Sequence, residues 1–393
     1  MRNRIYLAVA LLTFSFSIIR MGSSLDALAH GYGSLAVGVL ISLLAVFPAL
    51  LSLSWGRWID REGERKPVLV AGIFTLLGLA IPAALPTGSF GLVPLGLGCC
   101  FAGVGLMSAS LSSQRMIGAL SSPETRLANF AWLATATAAA GFAGPIAAGF
   151  VIDRAGHQAA FALGAAVALL GLAAAIDLSR RLPRAPGRKA GKKKTGAFDL
   201  FRHPPVRNVL IISAMVTIAW DLQTFVFPVY GNAVGLTATE IGWLVGTFYA
   251  ATFFVRLVMP FVSGRVSEWQ FMVFVMLMGA AAYFLFPFFT SMPPLLACAF
   301  VLGTGLGASQ PNVMSLLQTQ SPAGRTGEAI GLRSMLTQAG HAALPLAFGA
   351  LASVAGVFWI FMAMAGSLGA AALFAQTIGR SQALEEPKPL AKK

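Results

Sequence analysis

The sequence predicts an all-α membrane protein of twelve transmembrane helices, arranged as two pseudo-symmetric bundles of six. Composition supports this fold class: 57% of the 393 residues are hydrophobic and only 11% are charged, whereas soluble domains carry about 25% charged residues. Apolar runs that reach about 20 residues, the length of a helix that spans a bilayer, recur along the chain. A soluble fold cannot bury so many apolar helices, so the solvent of this chain is lipid.

Twelve apolar segments follow one another along the chain. We expect all of them to be helices, because a chain that enters lipid must satisfy its backbone hydrogen bonds internally. The frequent Gly and Pro residues are typical of kinked, closely packed membrane helices. The approximate spans are 5–28, 35–56, 67–86, 91–113, 128–152, 158–178, 207–230, 239–262, 270–290, 293–316, 326–350 and 354–377.

The two halves of the chain repeat each other. Ser122-Pro123-Glu124-Thr125-Arg126 recurs as Ser321-Pro322-Ala323-Gly324-Arg325, with a shift of about 200 residues. Upstream, Gly103-Val104-Gly105-Leu106 recurs as Gly303-Thr304-Gly305-Leu306 with a similar shift. Such a repeat predicts six helices plus six, related by an axis normal to the membrane. The predicted divisions are an N-terminal bundle at 1–178, a basic linker at 179–206, a C-terminal bundle at 207–378 and a tail at 379–393.

The distribution of the net charge of +14 argues against nucleic-acid binding. Eight basic residues lie between Arg180 and Lys194, in the linker, where we expect them to contact anionic lipid headgroups. Basic residues in alternate loops predict that both termini are cytoplasmic. The loops on the opposite side are nearly uncharged apart from Asp153, Arg154, His157 and Glu240. We therefore expect a multi-pass protein of the bacterial cytoplasmic (inner) membrane. We also expect it to be a monomer.

The sequence indicates no cofactor, no metal site and no enzymatic chemistry. The three cysteines, Cys99, Cys100 and Cys298, lie inside apolar segments and lack metal-ligand spacing to a histidine. No nucleophile and base form a catalytic arrangement. The expected partners are therefore a small-molecule substrate, protons and membrane lipids.

A charged turn at residues 56–66, between the second and third segments, carries the most specific motif. The residues of this motif are Gly56, Asp60, Arg61, Gly63, Arg65 and Lys66. This pattern resembles the loop between the second and third helices of major facilitator superfamily (MFS) transporters. With the segment count, the half repeat and the linker, the resemblance covers nearly the whole chain. It implies the MFS fold, alternating access of two bundles, close helix approach at Gly56 and a latch in which Asp60 contacts the eleventh helix.

The fifth segment contains a second motif, formed by Gly141, Gly144, Pro145 and Gly149. Proline removes a helical donor and bends the helix, and the glycines allow tight packing against a facing helix. The motif is similar to the Gly-x-x-x-Gly-Pro-x-x-Gly signature of the drug/proton antiporter branch, although the glycine spacing departs from that signature. Ordinary helix packing is the alternative explanation.

A few ionisable side chains lie inside the predicted helices, where a charge is expensive and usually has a partner or a function. Asp221 is the sharpest candidate for proton coupling, because a buried carboxyl group exchanges protons near neutral pH. Asp26 and His341 are further candidates, with structural ion pairs or packing as the alternative roles. The candidates for a substrate cavity are Arg20, Trp220, Gln223, Arg256, Gln310, Asn312, Arg333 and Gln338.

Three functional hypotheses follow. The first is a proton-coupled exporter of small organic molecules, and the second is a proton-linked symporter or uniporter of an organic anion. The third is a non-transporting membrane receptor or scaffold. The charge balance of the cavity separates the first two. If Arg20, Arg256 and Arg333 converge there unpaired, an anionic substrate is favoured. If they pair with Asp26 and Asp221, or turn towards lipid headgroups, export is favoured.

Overall fold

Backbone hydrogen bonding without water folds nearly all of the chain into helices. A computed structural model describes residues 1–182, 197–262, 267–322 and 325–385, apart from a few side chains within these ranges. Two short 3₁₀ helices, Ala197–Arg202 and Phe286–Phe288, precede α7 and α10. The α-helices are α1 (Arg2–Ala29), α2 (Ser34–Glu62), α3 (Arg65–Ala84), α4 (Thr87–Phe90), α5 (Val93–Ala119), α6 (Pro123–Arg181), α7 (Pro204–Ala233), α8 (Ala238–Val262), α9 (Glu268–Leu285), α10 (Met292–Gln320), α11 (Thr326–Ala355) and α12 (Val357–Glu385).

These helices match the predicted segments and confirm the fold class. The short α4 is an extra turn before α5, and α5 is the fourth segment. The long α6 holds the fifth and sixth segments, which separate at Gly156, where a φ of 83° interrupts the helix and suits glycine. By length and composition, ten described helices can cross a membrane; α6 counts once among them and α11 is not included. Since α6 contains two segments and α11 is itself a long helix, each of the twelve predicted spans is helical.

The described chain forms two compact units. The predicted bundle boundary in the linker stays a prediction, because residues 183–196 lie outside the described part, as does the tail beyond residue 385. The helices α7, α8 and α11 each contribute to both units. The first unit comprises the described parts of Met1–Thr195, Asp221–Ala250 and Thr337–Val357, and the second comprises those of Gly196–Trp220, Ala251–Leu336 and Phe358–Lys393.

Small residues set the helix packing of the first unit. In this unit α1 packs on α6, and α3 packs on both α5 and α6. A Cβ added to Gly78 of α3 would lie 2.8 Å from the backbone nitrogen of Ala102 in α5. A Cβ on Gly72 would lie 2.9 Å from the Cα of Leu172 in α6. These glycines therefore bring helix backbones closer than larger side chains allow.

The first unit also includes parts of α8 and α11. The helix α11 packs on α2 through Gly349 and Gly38, where a Cβ on either glycine would lie 3.0 Å from the Cα of the other. The helix α8 is capped by Asp153 of α6, whose carboxylate oxygens accept hydrogen bonds from the backbone N–H groups of Ala238 (3.0 Å) and Thr239 (2.8 Å). The helix dipole favours a carboxylate at this position, so the cap fastens α8 to α6.

In the second unit, α9 begins with a capping box. The Ser267 hydroxyl accepts a hydrogen bond of 3.3 Å from the backbone N–H of Gln270, which satisfies a donor that a helix start leaves open. Glu268, the next residue, reaches α10. Its backbone carbonyl accepts a hydrogen bond of 2.8 Å from the Asn312 amide, and its carboxylate accepts one from the Ser315 hydroxyl. The two helices are therefore joined by polar bonds at this end.

The start of α11 is tied to the 3₁₀ helix that ends the linker. The Arg325 guanidinium donates to both carboxylate oxygens of Asp199, at 2.7 and 2.8 Å, and to Glu328 at 2.7 Å. Hydrogen bonding to Arg325 holds the pKa of Asp199 below its usual range. These groups lie at the ends of the helices, where ion pairs are solvated and individually weak.

Candidate functional site

Asp221, which is buried, and His341, which is half-buried, form an acid–base pair in the first unit. Asp221 of α7 is 4% exposed, and its Oδ1 lies 2.5 Å from Nδ1 of His341 in α11. Two of the three predicted proton-coupling candidates therefore meet in one contact. An imidazole and a carboxylate at hydrogen-bond distance can hold a proton between them, and imidazole changes its charge near neutral pH.

Two polar side chains of α7, Asp221 itself and the nearby Gln223, have buried atoms with no hydrogen-bond partner among the described atoms. The Oδ2 atom of Asp221 is buried and has no partner among the described atoms. The side chain of Gln223 is 0% exposed. Neither its amide oxygen nor its amide nitrogen has a hydrogen-bond partner among the described atoms. Each such group costs about 1–3 kcal/mol, and native proteins contain few of them. In the described structure, these groups leave hydrogen-bonding capacity unused on α7 beside His341.

Asp26 lies in a polar cluster at the end of α1. It is 4% exposed, and its Oδ2 accepts a hydrogen bond of 2.5 Å from the Thr87 hydroxyl. Its Oδ1 lies 3.1 Å from Nδ1 of His30 and 3.7 Å from Nδ1 of His157. The third proton-coupling candidate therefore also contacts imidazoles, although it belongs to a cluster separate from the first pair.

Arg20 is held by neutral, aromatic partners. Its Nη2 donates a hydrogen bond of 2.8 Å to the Tyr249 hydroxyl of α8. The guanidinium carbon lies 5.6 Å from the centre of the Tyr249 ring and 5.9 Å from that of Phe16, within the range of cation–π attraction. Arg20 makes no described ion pair with Asp26, as their six-residue spacing on one helix predicts.

Arg333 is a buried cation in the second unit. It is 7% exposed, and its Nε and Nη2 atoms donate hydrogen bonds of 2.7 Å to the Ser213 hydroxyl of α7 and the Gln310 amide oxygen of α10. In the described part of the chain, no carboxylate lies within salt-bridge distance of it. Two predicted cavity residues, Arg333 and Gln310, therefore meet, and both partners of the cation are neutral.

The other predicted cavity residues are dispersed. Asn312 is 8% exposed and bonds to α9, as described above. Arg256 of α8 is exposed, whereas Trp220 and Gln338 are half-buried. Their contribution to a substrate path stays a prediction.

The charged turn at 56–66 is described only in part. The side chains of Asp60 and Arg61 lie outside the described ones, so the latch contact with α11 stays a prediction. Gly63 ends α2 with a φ of 78°, a left-handed conformation that explains glycine at this position. The close helix approach expected at Gly56 is absent from the described part, because a Cβ built there meets no described atom within 4 Å.

The turn continues into α3 with an ion pair. The Glu64 carboxylate lies 3.3 Å from Nε of Arg115 in α5. Arg65 is half-buried and Lys66 is exposed. Glu64 therefore connects the turn to α5, a partner that the motif alone did not indicate.

The Gly-Pro motif of α6 packs closely on two helices. A Cβ on Gly144 would lie 2.7 Å from the Cβ of Ser17 in α1. A Cβ on Gly242 of α8 would lie 2.5 Å from the carbonyl oxygen of Pro145. Added Cβ atoms would also meet α8 at the two outer glycines, Gly141 and Gly149. The motif therefore serves tight helix packing, whatever further role it has.

A comparison with known protein families agrees with three features of this chain: the pattern of twelve helices, the half repeat and the buried ionisable pairs. A family model described as the Major Facilitator Superfamily matches residues 5–235 and 209–392. The chain belongs to the major facilitator superfamily. It is therefore an integral membrane protein and a secondary transporter of the MFS type, not an enzyme. Among curated proteins, none matches the chain significantly in sequence.

Solved structures share the MFS fold over nearly the full chain. One is a POT family transporter in complex with a thioalcohol conjugated peptide (15% identity, TM-score 0.74, 97% of this chain and 96% of that chain). A second is a POT family transporter in complex with 5-aminolevulinic acid (15% identity, TM-score 0.75, 97% and 96%). A third is the peptide transporter POT in complex with sulfate (14% identity, TM-score 0.78, 97% and 94%). At these identities the likeness establishes the fold alone.

Sequence reasoning missed several partners of the ionisable residues in this MFS transporter. Ser213 and Thr87 are small hydroxyl residues, and no pattern connects either one with the charged group that it contacts. His30 did carry a signal, because it follows Asp26 by four residues and so lies on the same helix face. The spacing of paired residues within one helix was readable, whereas pairing between helices was not.

Proposed function

We propose that this MFS transporter couples the movement of a small organic molecule to protons, and that Asp221 and His341 carry the proton. The observation behind this proposal is the buried carboxylate of Asp221, whose Oδ1 contacts His341 and whose Oδ2 has no partner among the described atoms. The proposal assigns the pair a change of protonation in each transport cycle.

Burial explains why this pair suits a proton carrier. An ionised carboxylate inside a helix bundle is stable only if it is paired and hydrogen-bonded. When Asp221 is ionised, His341 satisfies Oδ1, and the buried Oδ2 remains able to accept a proton or a hydrogen bond. Protonation at Oδ2 removes the charge and allows the acid to leave its partner, so the two protonation states favour different arrangements of α7 and α11. A ligand-driven change of state requires such a difference in interaction free energy.

Two substrate classes compete within this proposal. The resemblance of the Gly-Pro motif around Gly144 to the signature of the antiporter branch supports export of an organic molecule in exchange for protons, whereas the close packing of the motif fits its alternative role in ordinary helix packing. The neutral partners of Arg20 and Arg333 support an organic anion that moves with protons, because neither cation is neutralised by Asp26 or Asp221. We favour the anion. Among proteins of this fold, 5-aminolevulinic acid and sulfate are bound by two POT transporters.

The test is proton flux in liposomes that contain the purified protein and an internal pH-sensitive dye. A proton gradient is imposed, and hydrophobic cations and small organic anions are screened in turn. We expect Asp221→Asn to abolish substrate-driven flux and His341→Gln to reduce it. Asp177→Asn is the matched control, since this carboxylate is exposed and pairs with Arg181 at 3.0 Å.

The outcomes separate the alternatives. Flux that is driven by anions and lost in Asp221→Asn supports the proposal, and flux driven only by cations favours export. Undiminished flux in both Asp221→Asn and His341→Gln would remove the pair from the proton path. An equal loss in Asp177→Asn would assign the effect to surface charge.

A further inference from the structure

Arg333 presents a buried positive charge that the described protein does not neutralise. It lies about two turns into α11 and is 7% exposed. Charged residues so placed in membrane helices normally pair with an opposite charge or serve a ligand path. Its described partners, Ser213 and Gln310, are both neutral. A buried guanidinium with no counter-ion is costly, so the site is incomplete without an anion.

The hydrogen-bond inventory of the three side chains points to the chemistry of that anion. A guanidinium has five N–H donors, and Arg333 uses two of them on described partners. The Ser213 hydroxyl and the Gln310 amide oxygen both act as acceptors towards Arg333, which leaves the hydroxyl hydrogen and the amide NH₂ group as donors. The three residues therefore offer N–H and O–H donors from three helices. Such a set matches a group that only accepts hydrogen bonds.

We propose that Arg333, Ser213 and Gln310 form a binding site for the oxyanion group of a small free anion, such as a carboxylate or a sulfate. A planar guanidinium binds such groups through paired N–H donors. This proposal rests on the proposed transport function and names its substrate class. Because the three residues come from α11, α7 and α10, a bound anion bridges helices and its release loosens them.

The test is thermal unfolding of the purified, full-length protein in detergent with sodium sulfate or sodium succinate as the probe. Sodium chloride at equal ionic strength is the reference. Since a ligand that binds only the folded state raises Tm with its concentration, we expect a saturable rise for the wild type and none for Arg333→Gln. Arg333→Lys keeps the charge but loses the fork, so its apparent affinity falls by about tenfold or more.

Two variants complete the test. Arg154→Gln removes an exposed arginine that stacks on Phe150, and we expect it to retain the wild-type response. Ser213→Ala keeps the cation and weakens binding, which provides a measurement if Arg333→Gln does not fold. A rise in Tm that persists in Arg333→Gln, or one that chloride reproduces, overturns the site.

Lipid is the competing source of an oxyanion. Stabilisation by phosphatidylglycerol vesicles, with no response to sulfate or succinate, would overturn the assignment to a free anion. Proton flux distinguishes this inference from the proposed function. If the oxyanion response is absent while flux still depends on Asp221, the Arg333 site fails and the proton coupling stands. If the oxyanion response is present and proton flux does not depend on Asp221, the Arg333 site stands and the proposed proton coupling fails.

Discussion

Asp153 caps the N-terminus of α8, and the effect of removing this cap can be predicted from the structure. Both carboxylate oxygens accept hydrogen bonds from the first turn of α8, at 3.0 and 2.8 Å, and they hold α8 against α6. Replacing Asp153 by Ala removes both bonds and leaves two backbone N–H groups of α8 without their acceptor. If α6 and α8 separate during the transport cycle, the variant favours the separated state.

The size of the effect follows from known contributions. Loss of a side-chain cap costs about 1 kcal/mol and at most about 2, and loss of a negative charge at a helix N-terminus costs a further 0.3–1 kcal/mol or so. Asp153 is exposed, so solvent screening keeps the total near the lower end, at about 1–2 kcal/mol. This energy corresponds to a change of about 5–30-fold in the equilibrium between the packed and separated states.

Cysteine labelling measures this equilibrium. Ala238 is 9% exposed in the packed arrangement, so Ala238→Cys reports separation when the native cysteines are replaced. We expect Asp153→Ala to raise the rate of maleimide labelling by about 5–30-fold. Glu240→Ala is the control, because the described hydrogen bonds of the Glu240 carboxylate stay within its own turn, to Thr237, and its loss should have a much smaller effect. Two results would refute the reasoning: equal labelling rates with and without Asp153, or an equal rise in labelling rate in Asp153→Ala and Glu240→Ala.

Two further predictions concern packing and charge. Gly144→Ala should destabilise the protein by about 1–3 kcal/mol relative to Gly366→Ala, because overpacking costs this much. The added Cβ overpacks at Gly144, whereas a Cβ on Gly366 meets nothing within 4 Å. Equal unfolding midpoints of the two variants in denaturant would contradict this prediction. The lowered pKa of Asp199, caused by Arg325, predicts stability that is present above the usual value of 3.8 and is lost as pH falls through the lower folded value. The Tm difference between wild type and Asp199→Asn should therefore be constant from pH 5 to 8 and shrink on strong acidification, and a difference that grows in acid would show the opposite sign.

Much of the fold was readable from the sequence, because it depends on local properties. A run of apolar residues long enough to cross lipid must become a helix, and the predicted gap between residues 152 and 158 contains Gly156, where α6 is interrupted. The motif glycines were also readable as packing residues, and Gly144 does pack closely. Gly56 was not predictable in the same way, since close approach depends on what lies opposite a glycine, and nothing described lies there.

The candidate site was only partly readable. The sequence identified Asp221, His341 and Arg333 as unusual, because a charge inside an apolar segment is expensive wherever it occurs. It did not indicate that His341 would contact Asp221 rather than serve in packing. The two residues are 120 positions apart, as are Arg333 and Ser213.

The sequence by itself determined that this chain lies in a membrane, that its apolar segments form helices, and that a few ionisable residues, Asp221 and Arg333 among them, are buried within those helices. These follow from hydropathy and backbone hydrogen bonding, which act within one segment. Only the tertiary structure decided that an imidazole meets Asp221 and that neutral groups meet Arg333. The partner of a buried charge depends on the rotation and register of helices distant in the chain, and these are set by packing among all the helices.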